Sequence, residues 1–212
     1  MTIGKEQLYD WWGGNVWLFK QINSISGGYY DLAMQNITLL GDKKLLPYFL
    51  AAIVAYALIT MIGRLVTKQA GNKHYAEMWF GIFAVLAVGF VVSYSTISYL
   101  KDHFSYPRPY ATLASGEVRH LEAQAAEKAN QSFPSGHVAI ITTIILALWP
   151  AFSGNFKWFG AALILGVAWS RIALGVHFPV DVLYSFIIVL FEILLVRSIV
   201  YWLLNRLFGL RC

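Results

Sequence analysis

PSGHVAIITTIILALWPAFSGNFKWFGAALILGVAWSRIALGVHFPVD, residues 134–181, sets two apolar runs between polar ends. The runs, 136–152 and 158–174, are each about as long as the ~17–25 residues with which an α-helix crosses a bilayer. Neither shows the polar face of a half-buried soluble helix. Two crossings return the chain to the side it left, so PSGH at 134–137 and SRIALGVHFPVD at 170–181 share one side of the membrane.

Working outward, further spans are expected at 180–204, 78–100 and 45–65, which makes five. The span 78–100 ends in KDHFSYPRP, residues 101–109, on the same side again. Composition agrees. The 212 residues are 58% hydrophobic and 13% charged, against roughly 25% charged in soluble domains. Residues 5–40 carry Trp11, Trp12, Trp17, Phe19, Tyr29 and Tyr30 but are interrupted by Lys20, Gln21, Asn23, Gly27, Gly28 and Asp31. With no long apolar window, they are expected to form helices lying in the membrane interface. The expected fold class is therefore all-α: a polytopic membrane helix bundle of five clear transmembrane helices plus N-terminal interfacial helices. Residues 1–44 form the interfacial part and 45–212 a single membrane-embedded core with a site loop at 101–135.

The three polar clusters carry the chemistry. Lys101, Arg108 and Arg171 are cations suited to phosphate, Lys as a point charge and Arg through bidentate contacts. Ser135 at an N-cap, with Gly136 and His137 opening the helix, aims unpaired N–H groups at an anion. Pro179 suits the first turn of the last span, which places His177 just before that helix and Asp181 inside it. A carboxylate at this spacing can orient one ring nitrogen and leave the other free to attack. Metal ligation by His177 and Asp181 is disfavoured, because three cations nearby would repel the metal and further carboxylates are lacking. No metal and no cofactor are expected.

The pattern K-x6-R-P, P-S-G-H and S-R-x5-H-x3-D resembles the type 2 phosphatidic acid phosphatase (PAP2) and haloperoxidase superfamily, in its bacterial membrane lipid phosphatase branch. All eleven specified positions match across about 80 residues. The resemblance implies that His177 is the nucleophile, Asp181 its partner, His137 the general acid, and Lys101, Arg108, Ser135, Gly136 and Arg171 the phosphate cradle. Its members usually have six spans, whereas five are legible here. It implies a metal-independent phosphatase acting on a lipid phosphate or diphosphate through a phosphohistidine, with undecaprenyl diphosphate, phosphatidylglycerol phosphate, phosphatidate and lipid A phosphates as candidate substrates. The same residues would serve a phosphotransferase with a second lipid as acceptor. A vanadate haloperoxidase is disfavoured by the spans, and a non-catalytic lipid-binding or transport protein by the intact motif.

The net charge of +5 is scattered between spans, which fits anionic lipid rather than nucleic acid. The bilayer and a lipid substrate are the expected partners, with no obligatory protein partner. No cleavable signal is apparent at the start. Orientation is weakly marked. Arg64, Lys68, Lys73, Lys157, Arg197, Arg206 and Arg211 fall opposite the clusters, and nine basic residues fall with them. Three of those nine have a chemical reason to be there. Seven against six faintly favours an outward-facing site, and the resemblance implies the extracytoplasmic face of a bacterial cytoplasmic membrane.

Residues 117–130 favour helix, as a connector or a flap. His74, His103 and His120 lie outside the motif, and Glu192, deep in the last span, suggests a bundle partner. The N-x-[ST] matches at Asn36 and Asn130 are of a frequency expected by chance. Cys212 alone forms no disulfide and no prenylation box.

Overall fold

A computed structural model describes residues 6–114, 116–121 and 129–209. After two short irregular turns, Glu6–Asp10 and Trp11–Gly13, the helices are α1 (Gly14–Asn23), α2 (Gly28–Leu39), α3 (Leu46–Val66), α4 (Asn72–Phe104), a single turn α5 (Pro109–Thr112), α6 (Gly136–Leu148), α7 (Gly154–Ala173) and α8 (Pro179–Phe208). Among the described residues, α3, α4, α7 and α8 are long and apolar enough to cross a membrane, and α6 is a shorter apolar helix. The all-helical membrane bundle expected from the sequence is the fold observed.

The expected span at 136–152 is a 13-residue helix followed by a three-residue turn, Trp149–Ala151. Pro150 offers no backbone N–H to continue the ladder. At ~1.5 Å per residue this helix is about 20 Å long, short of the ~30 Å hydrocarbon core. It tolerates this because it is sheathed by protein. Ile144 and Ala147 pack with Val85, Leu86, Val189 and Ile193 of α4 and α8, while Val138 and Ile141 pack with Ile164 and Val167 of α7. Helix α3 is peripheral, with Ala57 its one buried residue. The flanking helices α4, with 33 residues, and α8, with 30, overrun the expected spans at both ends.

Helices α1 and α2 pack across the site end of α7. Ile37 of α2 lies beside Gly166, and Tyr30 accepts a hydrogen bond from the Trp169 indole. The polar interruptions of this region also have a structural use. Asn23 is buried and donates to the carbonyls of Arg119 and Ala173, and Asn15 is buried and accepts from the Val180 amide.

The segment after α5 departs from the expected helix. Within 117–121 the chain is a bend followed by irregular backbone, and 122–128 lie outside the described residues, as does Cys212. Arg119 pairs with Asp31 at 2.7 Å, Lys20 with Glu117 at 2.8 Å, and the Leu121 amide donates to the Leu174 carbonyl. This stretch is therefore tied both to the N-terminal helices and to the turn between α7 and α8.

Candidate active site

Asp181 organises the site from the first turn of α8. Its Oδ2 accepts from the Phe178 amide at 2.8 Å, the reach-back half of a capping box. The same oxygen accepts from Ser132 Oγ at 2.6 Å, and Oδ1 accepts from the Tyr9 hydroxyl at 2.9 Å. Its backbone carbonyl accepts from the Ser135 amide at 3.2 Å, and Ser185 Oγ donates to the Ser135 carbonyl at 2.7 Å. Together these bonds hold the start of α6 against the start of α8.

His177 is buried in the turn between α7 and α8. Its amide donates to the Arg171 carbonyl, and its Nδ1 lies 3.5 Å from Asp181 Oδ2. That spacing is an electrostatic contact, longer than a formed hydrogen bond. Such catalytic contacts commonly tighten only when substrate is bound. Burial holds the His177 imidazole well below its ordinary pKa, and Arg108, Arg171, Lys101 and His137 add repulsion. The ring is therefore neutral through physiological pH, which leaves a lone pair on a nitrogen. All four of those groups act on one imidazole, so the three sequence clusters converge.

Each expected residue has a defined place. Lys101, in the last turn of α4, donates to the Gln131 carbonyl at 2.9 Å. Arg108, buried at the N-cap of α5, has its amide on the Ala129 carbonyl. Arg171, buried in the last turn of α7, donates to Thr38 Oγ1 at 2.8 Å. Ser135 does occupy the N-cap of α6, but among the described residues its buried hydroxyl makes no capping bond and finds no partner. The side chain is thus not spent on the helix. Gly136 and His137 follow in the first turn. A Cβ on Gly41 would lie 2.5 Å from the His137 carbonyl oxygen, so that glycine lets the N-terminal region close against the helix start. Among the described residues no three His, Cys, Asp or Glu converge as a metal-ligand group.

Tyr9, Thr38 and Ser132 touch the site residues and were not anticipated. Tyr9 also meets the Tyr106 ring edge-on at 4.3 Å. Burial and the neighbouring Asp181 carboxylate hold its phenol well above the ordinary value, so it stays a donor. Only Ser132, two residues before the PSGH cluster, lay near a recognisable signal. The remaining histidines make other contacts: His103 stacks on Tyr99 and His120 on Tyr110. Glu192 accepts from Ser93 at 2.8 Å between α8 and α4.

Cations, a helix N-terminus and a buried histidine are gathered at one end of a membrane helix bundle, an arrangement suited to holding a phosphate. The chain belongs to the PAP2 superfamily, whose sequence profile matches residues 44–205. It is 33% identical over 139 residues to YbjG of Escherichia coli (strain K12), named as an undecaprenyl-diphosphatase. That match spans 63% of this chain and 64% of YbjG, so less than two thirds of the relative is covered. Two solved structures share the fold. LpxE of Aquifex aeolicus superposes with a TM-score of 0.59 at 22% identity, covering 87% of this chain and 94% of LpxE. A transmembrane PAP2-type phosphatidylglycerolphosphate phosphatase from Bacillus subtilis gives 0.62 at 20%, covering 92% and 88%. The chain is an integral membrane protein of this superfamily.

Proposed function

We propose that this protein hydrolyses the terminal phosphate of a lipid phosphate or diphosphate through a phosphohistidine on His177. The observation that carries the proposal is the buried His177, its Nδ1 3.5 Å from Asp181 Oδ2, beside the start of α6 that the Ser135 amide ties to the Asp181 carbonyl, with Lys101, Arg108, Arg171 and His137 near enough to act on it. Nδ1 faces Asp181, so Nε2 attacks phosphorus while the bond to the lipid oxygen breaks. His137 donates the proton that this oxygen needs. Charge on the three equatorial oxygens is met by Lys101, Arg108, Arg171, the Ser135 hydroxyl and the Gly136 amide, without a metal. In the second step His137 takes a proton from water, water oxygen attacks phosphorus, and the P–N bond breaks to release phosphate. Residues 1–44 would lie on the membrane surface and 45–212 would form the embedded core. Undecaprenyl diphosphate is the favoured substrate because YbjG is the relative with the highest identity reported above. The site would face the extracytoplasmic side of a bacterial cytoplasmic membrane.

Phosphate release by purified protein from undecaprenyl diphosphate, phosphatidylglycerol phosphate, phosphatidate and lipid A phosphates tests the substrate class. Turnover is expected to survive EDTA and to be blocked by vanadate. Loss on chelation, restored by one divalent metal, would overturn the cation cradle. Lipid transfer products in place of free phosphate would show a phosphotransferase.

The two histidines are separable. His177→Ala should abolish release from every substrate, whereas His137→Ala should slow lipid substrates by about 10²–10⁴. A nitrophenolate leaves without protonation. With nitrophenyl phosphate, His137→Ala should give a burst of nitrophenol, then slow turnover with an acid-labile phosphoenzyme. A burst in His177→Ala and none in His137→Ala would exchange the two roles.

A further inference from the structure

An apolar cavity of about 590 Å³ lies between α6, α7 and α8. Ala161, Leu165 and Ala168 line it from α7, and Phe186 and Leu190 from α8. Its ends are chemically different. Toward the active site, Val182 is buried in one cluster with Ile172, Phe178 and Val180. At the other end it is bounded by Trp149 and the half-buried Arg197. Lys157 stands over the Trp149 ring, 5.9 Å from its centre, so a second cation joins this end. Arg197 also donates to the Leu146 carbonyl, near the C-terminus of the short helix α6.

Val182 and Arg197 are about 22 Å apart along α8, so the groove is long and runs with the helices. Its walls are apolar over nearly all of that length. Between Val182 of the groove and His177, the buried Phe178 and Val180 pack with Ile172, which argues against the substrate's own tail. The other end, with Arg197, Lys157 and an interfacial tryptophan, has the charge and the amphipathic ring that suit an anionic headgroup. We propose that this groove binds one acyl chain of an anionic phospholipid from the leaflet opposite the active site, with its phosphate between Lys157 and Arg197. Filling the gap would brace α7 and α8, the helices that end in Arg171 and begin before Asp181.

Dioleoyl phosphatidylglycerol is a suitable probe, because a phosphodiester offers no terminal phosphate to the active site. Native mass spectrometry of the detergent-purified protein, titrated with this lipid or with dioleoyl phosphatidylcholine, should show one retained phosphatidylglycerol. The preference over phosphatidylcholine should be about fivefold for each cation engaged. Lys157→Gln should cut that preference about fivefold and leave phosphatase turnover in detergent unchanged. Ala161→Trp, which fills the groove, should abolish retention of both lipids. Equal retention of the two lipids by the wild type would overturn the proposal, as would undiminished retention by a folded Ala161→Trp. A rise in KM for long-chain substrates in Ala161→Trp, with the phosphatidylglycerol adduct intact, would assign the groove to the substrate tail and overturn it equally. Lys157→Gln lies on the surface and stays informative if the tryptophan variant does not fold. None of these readouts requires the phosphohistidine mechanism.

Discussion

Asp181 is fully buried and accepts from Tyr9, Ser132 and the Phe178 amide, while His177 Nδ1 waits at 3.5 Å. A carboxylate in this setting needs donors to offset its desolvation, and the donors also fix where its oxygens point. Tyr9 touches the Asp181 carboxylate, so its loss should reach catalysis through the contact of Asp181 with His177. Tyr9→Phe keeps the ring packed on Tyr106 and removes one hydrogen bond to a charged group, worth about 1.5–3 kcal/mol at most. We expect kcat to fall about tenfold with KM nearly unchanged, measured by steady-state phosphate release. A raised KM with unchanged kcat would place Tyr9 at the substrate instead. The motif residues were legible in the sequence because their spacing is local to three clusters. Tyr9 was not, because its partner lies 172 positions away and one tyrosine among many aromatics carries no spacing signal.

At the scale of elements, the turn between α7 and α8 determines where His177 sits. Gly175 adopts a φ of +78°, and a Cβ there would come within 2.3 Å of the Arg119 carbonyl oxygen. The left-handed backbone alone costs a residue with a side chain about 1–2 kcal/mol, and the 117–121 stretch would also have to move. Gly175→Ala should therefore lower the unfolding temperature by roughly 4–8 °C and reduce turnover at least tenfold, since His177 lies two residues on. Unchanged melting and activity would show that 117–121 does not hold the turn. Length and hydropathy made the long helices readable, with errors at their ends. The expected helix at 117–130 rested on propensity, which the bonds of Arg119 to Asn23 and Asp31 override in its first residues. The burial of Asn15 and Asn23 was hidden for a related reason. Polar residues read as interfacial until the carbonyl or amide they satisfy is known.

Across the whole molecule, the number of crossings places all three clusters at one end, and the contacts of Ser135 with Asp181 and of Lys101 with Gln131 show them there. The opposite end holds Arg64 over Tyr75, Lys157 over Trp149 and Arg206 over Trp202. Cations held against aromatic rings at a membrane boundary are anchored by the rings and by lipid phosphates together. At the site end Lys101, Arg108, Arg171 and Arg119 have protein partners or a catalytic setting, and Lys43 and Lys44 are exposed. The slender count of seven against six carries the expectation of a cytoplasmic location for the Arg64, Lys157 and Arg206 end. Single cysteines at Ala114, on the site side, and at the exposed Gln69, between α3 and α4, test it in a Cys212→Ser background. In intact cells an impermeant maleimide should label Ala114→Cys, and should reach Gln69→Cys only after the membrane is permeabilised. Labelling of Gln69→Cys alone in intact cells would invert the orientation, placing phosphate release on the cytoplasmic face while leaving the chemistry of His177 as it stands.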